Sequence, residues 1–205
     1  MRRIGNTLIA AVTAAALGSG AWLLGTGAEG HPPPQPAPTE AAADAGRTGT
    51  AAPLRRSVPL RVRIPSIGVD APLTGLGLTP QGSLDVPPPR DRNLAGWYRD
   101  GTVPGATGTA VIAGHVDNAQ GPAVFYDLGN LRRGARVEVA RRDGGTAVFT
   151  VDSVAVYDAR HFPDRKVYGA AARPELRVIT CGGGYSPTTG YQGNVVVFAH
   201  LTGGR

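Results

Sequence analysis

The chain has 205 residues, of which 21 are Lys or Arg and 15 are Asp or Glu, giving a formal net charge of +6. The basic residues are scattered, which argues against nucleic acid as a partner, although this charge suits work beside an anionic membrane or wall polymer. One cysteine excludes an intramolecular disulfide, and with four dispersed histidines it does not predict a metal site. No phosphate-binding loop or dinucleotide fingerprint follows a predicted strand, so we expect no cofactor.

Residues 1–29 have the features of an N-terminal membrane anchor. Arg2 and Arg3 precede an uncharged, largely apolar stretch over residues 4–26. About 20 apolar residues span a bilayer as a helix, and the flanking arginines favour a cytoplasmic N-terminus. The alternative is a cleaved signal peptide, whose apolar region usually spans only about 7–15 residues. We expect an uncleaved anchor, and both interpretations predict that the rest of the chain is exported.

Residues 30–57 are rich in Pro, Ala, Thr and Gly and contain almost no large apolar side chains. Because such a segment cannot bury a core, its composition predicts a disordered, semi-extended linker. The linker would hold the remaining domain, residues 58–205, away from the membrane. That domain is long enough to bury a core of its own.

Residues 58–205 predict an all-β domain, because short apolar runs alternate with Gly and Pro turns. Leu60, Val62 and Ile64 alternate with arginines, the period-two pattern of a strand. Only residues 122–131 show helical spacing. We expect a closed barrel, because closure removes exposed strand edges. Further strands are predicted at residues 110–113, 136–139, 146–156, 176–181 and 194–200.

Two of these strands end near residues that can form a catalytic pair. Cys181 ends one apolar run and precedes Gly182, Gly183 and Gly184, while His115 follows another run. A neighbouring imidazolium stabilises a thiolate, and the imidazole can then protonate a leaving amine. The structural alternative is a buried packing cysteine and a hydrogen-bonded histidine. The glycines permit close approach of a ligand, and an exported free thiol risks oxidation, so we favour a reactive Cys181.

The other three histidines are weaker candidates than His115. His31 lies in the predicted linker, and no apolar run leads into His161. His200 is the serious competitor, but it lies on the last predicted strand near the C-terminus. There we expect a structural or exposed role.

The strings TAVIAGHVD, FYDLGNLRRG, RVITCGGGY and NVVV together resemble the sortases, and in particular the class F sortases of actinobacteria. The resemblance runs from about residue 59 to residue 201, with the strings in the family's order and spacing. It implies a closed eight-stranded sortase-like β-barrel with one or two short helices, after a single transmembrane helix and a Pro-rich linker. It also implies a cysteine transpeptidase of the hydrolase class that needs no cofactor or metal.

The resemblance further implies roles, partners and a location. Cys181 is the implied nucleophile, and His115 the implied proton donor and acceptor. Sortases of this kind cut an LPxTG-like sorting signal between Thr and Gly and form a thioacyl intermediate. An amine of a peptidoglycan precursor or a pilin then resolves that intermediate. The implied location is the cell membrane, with the N-terminus cytoplasmic and the catalytic domain extracellular.

One departure from the family pattern concerns its third catalytic residue, an arginine before the last strand. Gln192 occupies that position here, and its neutral amide is a weaker hydrogen-bond donor. Thr180, Gly182 and Tyr191 are the other candidates for contacting the oxyanion or the substrate. Arg177 shares a strand face with Cys181, but four strand residues span about 13 Å. An arginine from residues 160–173 is the remaining substitute.

This departure leaves a second function open, a catalytically impaired sortase-like barrel that binds wall peptides or partner proteins. The presence of both Cys181 and His115 favours the enzyme, since such a barrel needs neither. A cysteine transpeptidase of the L,D type is a third interpretation. It would carry an arginine shortly after the cysteine, where this chain has glycines.

Overall fold

The computed structural model describes residues 32–41 and 49–205, so the predicted membrane anchor lies outside the described residues. Within them, no helix has the length and apolar character needed to cross a bilayer. A five-residue helix, α1 (Asp164–Tyr168), and short 3₁₀ turns accompany the strands. The strands are β1 (Pro59–Ile64), β2 (Val69–Leu76), β3 (Ala95–Tyr98), β4 (Gly108–Gly114), β5 (Asp117–Asn118), β6 (Gly121–Pro122), β7 (Arg136–Arg141), β8 (Thr146–Asp158), β9 (Pro174–Ser186) and β10 (Gly190–Gly204).

Eight of these strands close into a barrel in the order β1-β2-β3-β4-β9-β10-β8-β7, and β5 pairs with β6 alone. The predicted all-β barrel of eight strands with few helices is therefore confirmed. Most neighbours are antiparallel, but β2–β3 and β4–β9 are parallel. Because parallel strands need a crossover connection, β4 and β9 bring together distant parts of the chain.

The barrel interior forms the main apolar core, as the period-two pattern predicts. Val62 and Ile64 are fully buried, whereas Arg61 and Arg63 point outward and both reach Asp70. Full burial of a Val or Ile side chain stabilises the fold by roughly 1.5–3 kcal/mol. The alternation therefore decides which face of β1 lies inside.

The segment predicted as a helix over residues 122–131 forms a shorter element, a 3₁₀ turn at Tyr126–Asn130. Pro122 pairs with Asp117 in the β5–β6 ladder, so its backbone is extended and cannot begin a helix. The apolar spacing that suggested the helix still serves packing. Three of its side chains are fully buried in the main core: Phe125, Leu128 and Leu131.

A second apolar cluster covers part of the outer surface of β4, β9 and β10. Val167 of α1 is fully buried there. Tyr168 and Phe162 pack beside it, from the segment between β8 and β9. That segment therefore forms a wall over the outer face. The strand residues it covers are Val111, Ile179, Val196 and Phe198.

Residues 49–57, within the predicted linker, pack against the barrel. Ala51 and Leu54 contact the main core. Their N–H groups donate to the carbonyls of Leu201 and Gly105 over 2.9 and 2.8 Å. These contacts could not be predicted from composition, because they are made by backbone groups and by only two small or medium-sized apolar side chains.

Residues 32–41 also lie against the barrel. The Gln35 carboxamide oxygen accepts a hydrogen bond from the N–H of Gly183 over 3.1 Å. The Glu40 carboxylate accepts one from the N–H of Arg133 over 2.8 Å. In its described parts, the predicted linker is therefore held by specific contacts, one of them two residues from Cys181.

Candidate active site

His115 directly follows the last residue of β4, and it neighbours Cys181 across the β4–β9 ladder. Cys181 lies in the middle of β9, which continues to Ser186, so the predicted end of this strand at the thiol is wrong. The parallel ladder between β4 and β9 runs in register to Ala113 opposite Ile179. Two residues further along each strand are His115 and Cys181, and neighbouring strands lie about 4.8 Å apart. The Thr180 hydroxyl donates to the Gly114 carbonyl over 2.9 Å, which joins the strands one residue before the pair. The parallel register thus assembles the thiol and the imidazole.

A backbone carbonyl orients the His115 ring. Its Nε2 lies 2.7 Å from the carbonyl oxygen of Pro87, in the loop between β2 and β3. Because a carbonyl oxygen only accepts hydrogen bonds, Nε2 carries the proton in this contact. In the neutral ring, Nδ1 is then the basic nitrogen. The Pro87 carbonyl therefore fixes the tautomer and the orientation of the His115 ring, as a carboxylate does for the histidine of a hydrolase triad.

The Cys181 thiol is held in its protonated form. Burial raises the pKa of Cys181, and the nearby Asp117 carboxylate raises it further. Both effects disfavour a negative charge on sulfur. A base that removes the thiol proton is therefore needed at neutral pH, and the register places His115 beside the thiol for that task.

Asp117 belongs to this site, although the sequence did not single it out. The Tyr191 hydroxyl donates a hydrogen bond to the Asp117 carboxylate, which ties β10 to β5. Burial, with Asp117 and Cys181 nearby, raises the pKa of Tyr191, so its hydroxyl stays protonated. The sequence does contain one indication of this role, because Asp117 lies only two residues after His115 in the same segment after the apolar run.

Gly182 and Gly183 serve the β9–β10 hairpin itself. A Cβ on Gly182 would lie 2.6 Å from the Val195 side chain, and Gly183 has a positive φ of 77°. Their small size therefore allows the two strands to approach closely. The sequence interpretation, close approach of a ligand, gives a different reason for the same residues.

Gln192 lies beside the site in an irregular part of the ladder. The register between β9 and β10 shifts between Tyr191 and Gly193, which leaves Gln192 without a residue directly opposite it on β9. Its side chain is exposed, and its carboxamide oxygen would lie 3.1 Å from a Cβ on Gly184. As a result, Asn194 is the residue directly opposite Cys181.

His200 lies far from Cys181. It pairs with Glu175, six residues before Cys181 on β9, and six strand residues span about 20 Å. Its side chain is buried, and Nδ1 lies 2.7 Å from Asp152. The structural role expected for His200 agrees with this position.

Three of the four arginines considered as substitutes have partners elsewhere. Arg177 pairs with Glu175 over 2.7 Å and lies over the ring of Phe198. Arg173 pairs with the same carboxylate over 3.0 Å. Arg160 pairs with Asp158 over 2.9 Å.

The outer face next to the pair is apolar, and a small pocket opens into it. Leu78 and Leu84 of the β2–β3 loop line one side, and Tyr168 of α1 lines the other. Val111 and Tyr98 complete the lining. No three His, Cys, Asp or Glu side chains within residues 32–41 and 49–205 are grouped so that they could hold a metal ion.

A closed β-barrel with a thiol on one strand and an imidazole directly after the neighbouring strand has the architecture of a barrel-type cysteine transpeptidase. The family model described as the sortase domain matches residues 62–202, more than half of the chain. The chain therefore belongs to the sortase family, whose members are cysteine transpeptidases. No curated protein sequence matches it.

Solved structures of sortases from several classes share the fold. Listeria monocytogenes sortase A is 17% identical with a TM-score of 0.55, covering 73% of this chain and 90% of its own. Actinomyces oris sortase C-1 is 19% identical with a TM-score of 0.54, covering 70% and 74%. Corynebacterium diphtheriae sortase A is 19% identical with a TM-score of 0.53, covering 72% and 61%.

Proposed function

We propose that this chain is a membrane-anchored sortase of the class F kind. It cleaves an LPxTG-like sorting signal between Thr and Gly and transfers the protein to an amine of a peptidoglycan precursor or a pilin. The observation that carries this proposal is the adjacency of Cys181, on β9, and His115, directly after β4, in a sortase-family barrel.

Acylation begins with transfer of the thiol proton from Cys181 to His115. The sulfur attacks the carbonyl carbon of the scissile Thr–Gly bond, and the carbonyl electron pair moves to oxygen. When the tetrahedral intermediate collapses, the C–N bond breaks and His115 returns its proton to the leaving glycine amine. The product is a thioester on Cys181, which retains the N-terminal part of the signal.

Transfer reverses this sequence with a different amine. The incoming amine attacks the thioester carbon, and His115 accepts its proton. The C–S bond then breaks, and His115 passes the proton to the sulfur, which restores the Cys181 thiol. The partial burial of Cys181 also reduces access of water to the sulfur. Limited access of water favours the amine over hydrolysis.

The sorting signal would lie on the apolar outer face. The β2–β3 loop and α1, which contribute Leu84 and Tyr168 to a small apolar pocket, would flank the bound signal. The anchor predicted over residues 1–29 would hold the domain at the outer surface of the cell membrane.

Incubation of the protein with an LPxTG-like peptide and an amine, followed by mass spectrometry, tests this function. Without the amine, we expect a mass increase on the peptide that contains Cys181. With the amine, we expect the transpeptidation product. Cys181→Ala should abolish both signals, and activity retained in that variant would refute the assignment.

The impaired barrel remains the second candidate, because Gln192 replaces the family arginine and the resting thiol is protonated. It predicts binding of the same peptides without an adduct on Cys181. The adduct therefore separates the two functions.

A further inference from the structure

Four residues form a row across the outer face of the barrel, at the level of the thiol. Asn194 of β10 pairs with Cys181 of β9 on one side and with Tyr157 of β8 on the other. The β4–β9 register places His115 next to Cys181 on its free side. The row therefore runs His115, Cys181, Asn194, Tyr157, and Asn194 is the cross-strand neighbour of the nucleophile.

The Asn194 side chain is buried and its amide nitrogen lacks a hydrogen-bond acceptor. The residue is 3% exposed, and Nδ2 makes no hydrogen bond to any residue that the structure describes. An unpaired buried donor is unfavourable, and such groups in native proteins call for an explanation. Residues directly opposite each other on antiparallel strands have Cβ atoms about 4.5–5.5 Å apart. This donor therefore lies within one side-chain length of the sulfur.

We infer that Asn194 is a catalytic residue whose Nδ2–H donates a hydrogen bond to the substrate carbonyl oxygen during attack by Cys181. The inference rests on the proposed function. As the sulfur–carbon bond forms, the electron pair of the carbonyl moves to its oxygen, which becomes negative. A buried neutral donor is strengthened by that charge and by the low polarity around it. The unpaired donor of the resting protein thus acquires its acceptor in the transition state.

The other candidates for this role are placed less favourably. Gln192 is exposed and lies at the register shift, with its carboxamide oxygen toward Gly184. The Thr180 hydroxyl donates to the Gly114 carbonyl. The Tyr191 hydroxyl donates to Asp117. Asn194 combines a position opposite Cys181 with an unused donor.

The test compares three variants of the full-length protein, Asn194→Leu, Asn194→Asp and Gln192→Ala, with an LPxTG-like peptide and an amine. Leu and Asp keep the approximate volume of the side chain but remove the N–H donor. We expect both to lower kcat by about 10²–10³, the loss typical of an oxyanion donor, with KM changed less than about threefold. Gln192→Ala should lose much less.

Stability and a transition-state mimic separate catalysis from packing. Replacing a buried amide whose N–H donor is unpaired by an apolar group of similar size should change the melting temperature of Asn194→Leu little. A peptide aldehyde ending at Thr adds the Cys181 thiol across its carbonyl, moving the thiol proton to oxygen. Its affinity should fall at least tenfold in Asn194→Leu, whereas that of the unreactive peptide alcohol should not.

Each outcome decides the inference. Wild-type kcat and aldehyde affinity in Asn194→Leu would overturn it, as would equal losses in Gln192→Ala. Should Asn194→Leu fail to fold, Asn194→Ser gives the same comparison, because its shorter hydroxyl side chain should restore only part of the rate. If the wild-type protein gives neither an adduct on Cys181 nor a product, the proposed function is refuted, and so is this inference, because it depends on that function.

Discussion

The outer face of β8, β9 and β10 carries polar residues at two places that are organised in opposite ways. Away from the thiol, Glu175 pairs with Arg177 and Arg173, and His200 pairs with Asp152. At the other place, Cys181 lies beside the Asp117 carboxylate, which disfavours a thiolate, and Asn194 Nδ2 has no acceptor.

This difference separates a structural role from a chemical one. In the first group, charges of opposite sign pair with one another inside the protein, although His200 Nε2 has no hydrogen-bond partner among the described residues. In the second, burial and a like charge disfavour a thiolate and the Asn194 donor is unpaired, so we expect this group to act on a bound carbonyl. We therefore expect different roles for the two histidines, because their surroundings differ.

The largest expected effect separates the two histidines. His115→Ala should lower kcat by about 10²–10⁴, because proton transfer to and from sulfur is lost, with a much smaller change in peptide binding. His200→Ala should keep kcat within a few-fold and lower the melting temperature. Peptide turnover and thermal melting of both variants check this, and an inactive His200→Ala with an active His115→Ala would reverse the comparison.

The paired cluster should matter for stability alone. Glu175→Gln leaves two arginines without their carboxylate and should lower the free energy of unfolding by about 3 kcal/mol at pH 7. Glu175 loses solvent on burial, yet its hydrogen bonds from Arg177 and Arg173 hold its pKa below the usual 4.5. A lowered pKa stabilises the fold above pH 4.5, and this contribution is lost as the pH falls through the folded-state pKa.

Urea unfolding of wild type and Glu175→Gln at pH 7 and at pH 3 measures this difference. The gap in unfolding free energy between the two proteins should narrow at pH 3. Arg160→Gln, on the solvent-exposed pair with Asp158, is a control that should change stability little. A loss of kcat in Glu175→Gln at a temperature where it is fully folded would connect the two places and break the comparison.

Removing the negative charge of Asp117, beside the Cys181 thiol, should have a smaller effect than the changes above, and it should appear in the reactivity of the thiol. Asp117→Asn removes a negative charge, so the pKa of Cys181 should fall and the thiolate fraction at pH 8 should rise. Alkylation of Cys181 by iodoacetamide should become severalfold faster, although burial still holds the pKa above the ordinary value. Asp127→Asn, on the nearby 3₁₀ turn, should leave the rate unchanged. Equal rates in wild type and Asp117→Asn would remove Asp117 from the site.

The smallest effect is expected at Gln192. Gln192→Ala should lower kcat/KM by about threefold or less, because its amide is exposed and only a weak donor. Gln192→Arg should raise kcat/KM severalfold, since a guanidinium forms charge-assisted hydrogen bonds with an oxyanion. Peptide cleavage assays decide this point, and a loss of about 10² in Gln192→Ala would move the oxyanion role from Asn194 to Gln192.

The barrel was predictable from sequence because its strands follow a period of two, with Val62 and Ile64 facing inward and arginines between them. The candidate pair could be suggested because Cys181 and His115 follow apolar runs directly. The position of Asn194 could not, because it depends on the register shift between Tyr191 and Gly193, which has no signature in composition. The family motif points to Gln192 as the oxyanion donor, whereas the pairing of β9 with β10 points to Asn194.

Two other features were hidden for related reasons. Asp117 acts through its distance from Cys181, and that distance depends on the fold rather than on spacing in the chain. The contact of Gln35 with Gly183 joins residues 148 positions apart through one backbone N–H. A proline-rich composition gives no indication of such a contact, since it reports only that the segment has no core of its own.

The parallel pairing of β4 and β9 has a consequence for how the chain acquires its chemistry. Thr180 and Gly114 are 66 positions apart, and all the chain between them must cross over before the two strands can meet. Contacts of such long sequence separation slow folding, because the entropy of closing the loop is lost before pairing compensates for it. A partly folded chain therefore carries an ordinary exposed thiol that is open to oxidation, and closure of the barrel both shields that sulfur and brings it to its imidazole.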